Sequence, residues 1–175
     1  GELDNDMCWG VRAARRVFLR GLTGFDLDQR MVGSGDPGAQ AEQAMCNAAV
    51  LLGELGSEPA HVTKIKTYLT DRAYRPAVYG AVERHLAGIP RVGTGLVVNG
   101  LALPEMDVEL DIDAVIPADP NRPHERLRPF STGDWFGQPF DWHGCMVVQT
   151  DDEIFLRGQT GRRGGGSGRA SASHT

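Results

Sequence analysis

Four acidic side chains alternate along one stretch of the chain: Asp107, Glu109, Asp111 and Asp113. Residues spaced by two project from the same face of a β-strand, so these carboxyl groups would lie side by side. Such a row is more often a solvated face than a site. If the row is partly buried, however, its like charges raise the pKa of at least one carboxyl group, which favours acid–base chemistry.

The cysteines and histidines indicate no metal site. Cys8, Cys46 and Cys145 are an odd number, lie far apart and form no CxxC pair, and no histidine stands at zinc-like spacing. We interpret them as reduced thiols in a cytoplasmic protein, with Cys46 on an apolar helix face. No secretion signal and no apolar run of ~20 residues is recognisable, so we expect no membrane partner.

The bulk composition predicts one globular domain and some residues outside its core. The 175 residues are 41% hydrophobic and 23% charged, which is enough for one ordinary core. The formal net charge is −5, although 16 of the 18 basic residues are arginines. Because a nucleic-acid binder normally shows a basic face, we expect no nucleic-acid partner.

The elements that would position the acidic row follow from the periodicity of the apolar residues. Apolar side chains alternate with the acids over residues 106–116, which predicts a strand with one buried face. Asp36 as N-cap, Pro37 in the first turn and Gly56 as the stop delimit a helix. The other predicted elements are a hairpin of residues 7–11 and 17–22, a strand over 61–69, a helix over 74–86 and a strand over 93–101. This order predicts an α+β two-layer domain with two helices on one face of a mixed sheet.

The opening hairpin has a second copy near the end of the chain. Residues 17–24 (VFLRGLTG) reappear as residues 154–161 (IFLRGQTG) at a shift of 137 residues, and Cys8 and Val11 map onto Cys145 and Val148. One hairpin cannot bury its own apolar face. The second copy must therefore pack on the first domain, pair with another chain or stay loosely ordered.

The predicted organisation has four parts. Residues 1–117 form the domain, and residues 118–141, rich in proline, form a linker. Residues 142–161 are the opening hairpin of an incomplete second copy. Residues 162–175 (RRGGGSGRASASHT) have no apolar periodicity and predict a flexible tail. This tail is either native or the product of a truncation or frame change in a parent with tandem domains.

Together these segments resemble the RidA/YjgF family of reactive-intermediate deaminases. The resemblance covers about residues 7–117 and is carried by the GLTG turn, the AQAEQAMCNAAVLLGELG helix, the HVTKIKTYLTD strand, Ile89-Pro90 and the LALPEMDVELDIDAV ending. It implies a chorismate-mutase-like fold and a homotrimer, or a pseudo-symmetric assembly of tandem copies, with clefts between subunits. It also implies hydrolysis of small enamine or imine acids to keto acids and ammonia, without metal or organic cofactor.

The resemblance implies three site residues. The family's acidic residue in the last strand falls on Asp111, expected to be catalytic and one methylene shorter than the usual Glu. Gly21, expected to bind substrate, corresponds to the glycine after the second strand; Arg20 replaces the small Ser that usually precedes it. Arg91, which directly follows Pro90, is expected to bind the substrate carboxylate and to take part in catalysis.

The arginine assignment has an alternative. Counting back from Leu103-Pro104 places Gly95, rather than Arg91, at the position of the family's arginine. The sequence therefore leaves open whether the chain is an enzyme. It is either a deaminase or a non-deaminating domain that binds a small metabolite or serves a biosynthetic pathway. Endoribonuclease activity, often attached to the family by name, is disfavoured by the net charge.

The remaining cationic and imidazole side chains carry no assigned role. Arg20, Arg157 and the Arg15-Arg16 pair are expected to be surface charges. The histidines without matched partners, expected to be ordinary, are His61, His85, His124 and His143.

Overall fold

Ten regular elements and two short 3₁₀ turns make up the computed structural model, which describes residues 8–131 and 142–159. The 3₁₀ turns, Pro59–His61 and Arg72–Tyr74, precede β3 and α2. The elements are β1 (Gly10–Ala13), β2 (Arg16–Leu22), α1 (Pro37–Glu54), β3 (Val62–Leu69), α2 (Arg75–His85), β4 (Val92–Val97), β5 (Val108–Val115), β6 (Glu125–Ser131), β7 (His143–Gln149) and β8 (Ile154–Leu156).

The main sheet has the strand order β1-β2-β5-β3-β4. Its neighbours are antiparallel except for β3 and β4, which run parallel because α2 forms the crossover between them. Helices α1 and α2 pack on one face of this sheet, and a separate antiparallel sheet has the order β6-β7-β8. The predicted α+β two-layer fold with a mixed sheet is confirmed.

Helix α1 forms where its capping residues place it. The Asp36 side chain accepts hydrogen bonds from the N–H groups of Gly38 and Ala39, each at 3.0 Å. The apolar stripe is buried against the sheet, but Cys46 is exposed, so its placement on the apolar face was wrong. The buried members of the stripe are Ala41, Ala44, Met45, Ala48 and Leu52.

Strand β5 lies in the centre of the main sheet, between β2 and β3. Its alternate residues Val108, Leu110, Ile112 and Ala114 are buried in the core. The strand period of two therefore directs the intervening acids to the face opposite the helices. The alternation in the sequence predicted this arrangement correctly.

The segment predicted as a linker contains strand β6. β6 is an edge strand that pairs with β7 on one side, so it tolerates Pro129, which has no N–H to donate. The high proline content of residues 118–141 hid this strand. Residues 132–141 of the predicted linker and the predicted tail, residues 162–175, lie outside the described residues.

The hairpin β7–β8 repeats the register of β1–β2. Val148 pairs with Phe155 as Val11 pairs with Phe18, at the shift of 137 residues. This second hairpin packs on the first domain: the Cys145 N–H donates to the Arg91 carbonyl at 3.1 Å. A small apolar cluster of Val92, Cys145, Val148 and Phe155 fills the contact.

Trp142 anchors the second hairpin in the core of the first domain. Its side chain is buried, and its ring stands edge-on to Tyr79 with 4.8 Å between the centroids. Gly93 makes the room, because a Cβ there would collide with the indole. In the described part of the chain, no helix is long and apolar enough to cross a membrane.

Candidate functional site

Asp111 lies on the face of the main sheet opposite α1 and α2, in the central strand β5. Its side chain is only 10% exposed, although α1 and α2 pack on the other face of the sheet. The Gly21 N–H donates to Asp111 Oδ1 at 3.4 Å, and the Tyr68 hydroxyl donates to Oδ2 at 3.3 Å. The carboxylate is therefore held by donors from β2 and β3, the two neighbours of β5.

Gly21 reaches Asp111 because β2 is irregular at this point. The register between β2 and β5 shifts between Leu19 and Leu22, which is the signature of a β-bulge. Gly21 has a φ of +65°, a left-handed conformation that glycine adopts without steric cost. The bulge turns the Gly21 N–H out of the strand pairing and towards the Asp111 carboxylate.

Two cations flank the same carboxylate. Arg20 Nε and Lys66 Nζ each lie 3.9 Å from Asp111 Oδ2. Arg20 is also paired with Asp113, with 2.7 Å between Nη2 and Oδ1. Lys66 donates no hydrogen bond to another of the described residues, and its side chain is 32% exposed. Its ammonium group therefore has donors free for an anionic ligand beside Asp111.

Burial and charge shift the pKa values of two neighbours. Burial raises the pKa of Glu109, and the negative charge of Asp111 raises it further. Burial also raises the pKa of Tyr68, again with a contribution from Asp111. The expectation that one member of the acidic row has a raised pKa is confirmed at Glu109. A carboxyl group and a phenol, both with raised pKa values, thus adjoin an aspartate that accepts hydrogen bonds from both neighbouring strands.

This arrangement can bind a small anion and exchange protons with it. Lys66 supplies a positive charge with free donors, and Arg20 adds a second charge that its partner Asp113 partly neutralises. Asp111 accepts hydrogen bonds when ionised, and the raised pKa of Glu109 favours its protonated, donating form. The face therefore combines an anion anchor with proton donors and acceptors within one row of side chains.

The structure brings two of the three predicted site residues together. Gly21 and Asp111 share a hydrogen bond, whereas Arg91 lies on the helix side of the sheet. Arg91 Nη2 donates to Glu83 Oε2 at 2.8 Å, and Nη1 donates to the carbonyls of Leu86 and Ile89. Its side chain has no exposed surface. In this structure Arg91 thus offers nothing to a ligand at Asp111.

The environment of Arg91 is that of a structural ion pair. Burial lowers the pKa of its guanidinium group, and the Glu83 carboxylate opposes this shift. The guanidinium lies over the Trp142 ring, 5.3 Å from its centroid. Arg91 therefore connects α2 and β4 to the second hairpin.

The alternative position, Gly95, has no space for an arginine. A Cβ at Gly95 would overlap the hydroxyl group of Tyr79. Any side chain at this position would require the Tyr79 ring to move.

Sequence reasoning missed Lys66 and Tyr68 and treated Arg20 as an ordinary surface charge. Lys66 pairs directly with Asp111, and Tyr68 pairs with Glu109, across the β3–β5 register. Alternation along residues 61–69 indicated which β3 residues share a face, but only the strand order places this face beside Asp111. The one local signal was that Lys64 and Lys66 are the only lysines in the chain.

A hollow lies away from Asp111, between α1 and the loop that precedes it. This open groove of about 300 Å³ is lined by Asp26, Gln43, Cys46 and Asn47, among others. The Asp26 side chain is occupied by the N–H groups of Asp28 and Arg30. Within residues 8–131 and 142–159, no three His, Cys, Asp or Glu side chains are placed to hold a metal ion.

Known families and structures match the first domain. The model of a family described as Endoribonuclease L-PSP matches residues 8–116 and ends before β6. Rv2704 from Mycobacterium tuberculosis, a member of the YjgF/YER057c/UK114 family, is 27% identical with a TM-score of 0.56. The match covers 62% of this chain and 85% of Rv2704.

Two more distant structures share the fold. RidA from the Antarctic bacterium Psychrobacter sp. PAMC 21119 is 21% identical with a TM-score of 0.59, over 65% of this chain and 90% of RidA. A putative endoribonuclease L-PSP from Entamoeba histolytica is 18% identical with a TM-score of 0.59, over 64% of this chain and 89% of its own. No curated protein sequence matches the chain.

Proposed function

Since the chain belongs to the endoribonuclease L-PSP family, which includes the RidA/YjgF proteins, we propose that it hydrolyses small reactive enamine or imine acids to keto acids and ammonia. The observation that carries this proposal is the enclosure of Asp111 between the Gly21 N–H, the Tyr68 hydroxyl and Lys66. A nearly buried carboxylate beside a cation with free donors suits a small anionic substrate that must gain and lose protons.

The proposed reaction needs only water and proton transfers. The substrate carboxylate binds Lys66, and the imine carbon lies near Asp111. Asp111 takes a proton from the attacking water as the carbon–oxygen bond forms and the C=N electron pair moves to nitrogen. Asp111 passes this proton to the nitrogen, which gives a carbinolamine. Asp111 then takes the hydroxyl proton and delivers it to the nitrogen as the carbon–nitrogen bond breaks, so that ammonia leaves, the keto group forms and the carboxylate is regenerated. The Gly21 N–H keeps the Asp111 carboxylate oriented throughout.

Arg91 receives a different role from the one that the resemblance implies. Its enclosure with Glu83 favours a structural role, and Lys66 is the cation beside Asp111 with free donors. We therefore assign the carboxylate-binding role to Lys66 and keep Arg91 as the alternative that the experiment below tests.

The site lies on an open sheet face and needs a second surface to exclude water. We propose that a homotrimer, or a pseudo-symmetric assembly with a tandem copy, closes this face into a cleft between subunits. The same proposal includes a cytoplasmic location and a small-molecule partner. It also includes the division of the chain into residues 1–117, 118–141, 142–161 and 162–175. The expectation that nucleic acid is not a partner belongs to it as well.

A non-deaminating domain that binds a small acid is the second candidate function. The enclosure of Arg91 and the lack of space at Gly95 favour it, because neither position offers the arginine that the resemblance to the deaminases implies. Both candidate functions share the anion site at Lys66. They differ in whether Asp111 catalyses the hydrolysis of the bound acid.

Ammonia release from enzymatically generated 2-aminoacrylate tests the proposal. We expect the wild-type chain to exceed the buffer rate, and Asp111→Asn to lose at least a hundredfold in kcat. Lys66→Ala should raise KM at least tenfold, whereas Lys64→Ala, on the same face of β3, should change it less than twofold.

Three results would contradict the proposal. A wild-type rate equal to the buffer rate would exclude the deaminase reaction and favour the domain that only binds a small acid. A larger KM effect in Arg91→Ala than in Lys66→Ala, with both variants folded, returns the carboxylate-binding role to Arg91. Equal effects of Lys64→Ala and Lys66→Ala would show that the lysine beside Asp111 has no special role.

A further inference from the structure

The turns of the two hairpins contact each other through ion pairs. Arg15, in the β1–β2 turn, donates to Asp151 Oδ2 at 2.5 Å and also binds Asp152. Arg16 Nη1 lies 3.3 Å from Glu153 Oε1. We call Arg15 and Arg16 the basic turn, and Asp151, Asp152 and Glu153 the acidic turn.

These contacts join positions that are equivalent in the two hairpins. β1–β2 and β7–β8 share one register at a shift of 137 residues, which maps Arg15 onto Asp152 and Arg16 onto Glu153. Each of the two ion pairs thus links a residue to its own equivalent. In a symmetric assembly, a residue meets its own equivalent only beside the axis that relates the copies. The paired turns therefore lie beside a local pseudo-symmetry axis.

The charges at these equivalent positions are inverted. The first hairpin has two arginines where the second has an aspartate and a glutamate. Two copies of the basic turn at the same axis would place arginine against arginine. The Arg15 and Asp152 side chains are 31% and 72% exposed, so solvent weakens each ion pair. The repulsion between two turns of like charge therefore contributes more to selectivity than the attraction within each ion pair.

We propose that the basic turn is a docking surface specific for an acidic hairpin turn and that it rejects a turn like its own. Its occupant is the acidic turn of residues 151–153, and two identical first domains do not meet at this axis. At this axis the surface thereby selects an unlike hairpin over a like one. This selection does not depend on the reaction proposed above, because it involves none of the residues around Asp111.

A charge-swap cycle tests the proposal in the full chain. All chains carry Asp151→Asn, whose amide oxygen still accepts the Ala118 N–H bond, so only the two equivalent pairs differ. The basic–basic chain adds Asp152→Arg and Glu153→Arg, the acidic–acidic chain adds Arg15→Asp and Arg16→Glu, and the swapped chain adds all four. A control with Glu54→Arg and Glu105→Arg, both exposed, has the same net charge as the basic–basic chain.

Hydrogen exchange of the β7 amides is the measurement. We expect protection to fall at least tenfold in the basic–basic and acidic–acidic chains, and to return to within threefold of the parent in the swapped chain. The control chain should keep its protection, and the α1 amides report in every chain that the first domain is folded. Parent-like protection in the basic–basic chain would overturn the proposal. So would a swapped chain with folded α1 that remains as unprotected as the two like-charged chains.

Discussion

Replacing Glu83 by alanine removes the carboxylate that faces Arg91. Arg91 has no exposed side-chain surface, and Glu83 is only 15% exposed. Removing one partner of such a pair leaves the other charge buried without compensation, which costs about 3–5 kcal/mol. We therefore expect Glu83→Ala to lower the free energy of unfolding by about 3 kcal/mol, at the low end because two carbonyls still bind Arg91.

Urea unfolding followed by circular dichroism measures this loss. With a slope of about 2 kcal/mol/M, a loss of about 3 kcal/mol moves the midpoint by about 1.5 M. Glu42→Ala is the matched control, because Glu42 pairs with Arg84 and His85 of α2 but is 40% exposed. An exposed pair is worth about 1 kcal/mol or less, so this midpoint should move little.

A second variant separates the missing charge from the missing packing. Glu83→Leu combined with Arg91→Leu leaves no buried charge, and such replacements are often neutral in stability. The double variant should therefore recover most of the loss seen in Glu83→Ala. A loss below about 1 kcal/mol in Glu83→Ala, equal to that of the control, would refute the reasoning that Arg91 is a buried structural cation.

Three further changes test other parts of the structure. Gly21→Ala should lower the free energy of unfolding by about 1–2 kcal/mol in thermal or urea unfolding, because φ is +65° there. The raised pKa of Glu109 means that its contribution to stability is lost as the pH rises above the ordinary value of 4.5. Glu109→Gln should therefore be more stable than wild type at pH 7, and this difference should vanish below pH 4.5. Burial lowers the pKa of His124, so stability should fall as the pH drops below 6.5, and His124→Gln should reduce this dependence.

The parts of the fold that the sequence predicted correctly have local causes. Asp36 and Gly56 delimit α1 because capping and the left-handed stop act within one turn. The alternation around Asp111 set the two faces of β5, since a strand has a fixed period. Gly21 and Asp111 were paired through the resemblance, and the bulge in β2 is what brings them into contact.

The parts that the sequence did not predict depend on contacts between distant segments. Lys66 and Asp111 meet because β3 and β5 are neighbours, and nothing within either strand specifies this pairing. Strand β6 was not predicted because a high proline content indicates a linker. β6 tolerates its proline because it lies at the edge of its sheet. Arg91 looked like a ligand because an arginine can bind a carboxylate of the protein as well as one of a substrate.

Trp142 connects the second hairpin to the unusual positions of β4. Its ring lies over Arg91, stands edge-on to Tyr79 and occupies the space that Gly93 leaves free. Tyr79 in turn occupies the space above Gly95. The same indole thus helps to enclose Arg91 and supports the ring that blocks the alternative position. Docking of the second hairpin and the enclosure of Arg91 are therefore physically coupled, and the cations beside Asp111 come instead from β2 and β3.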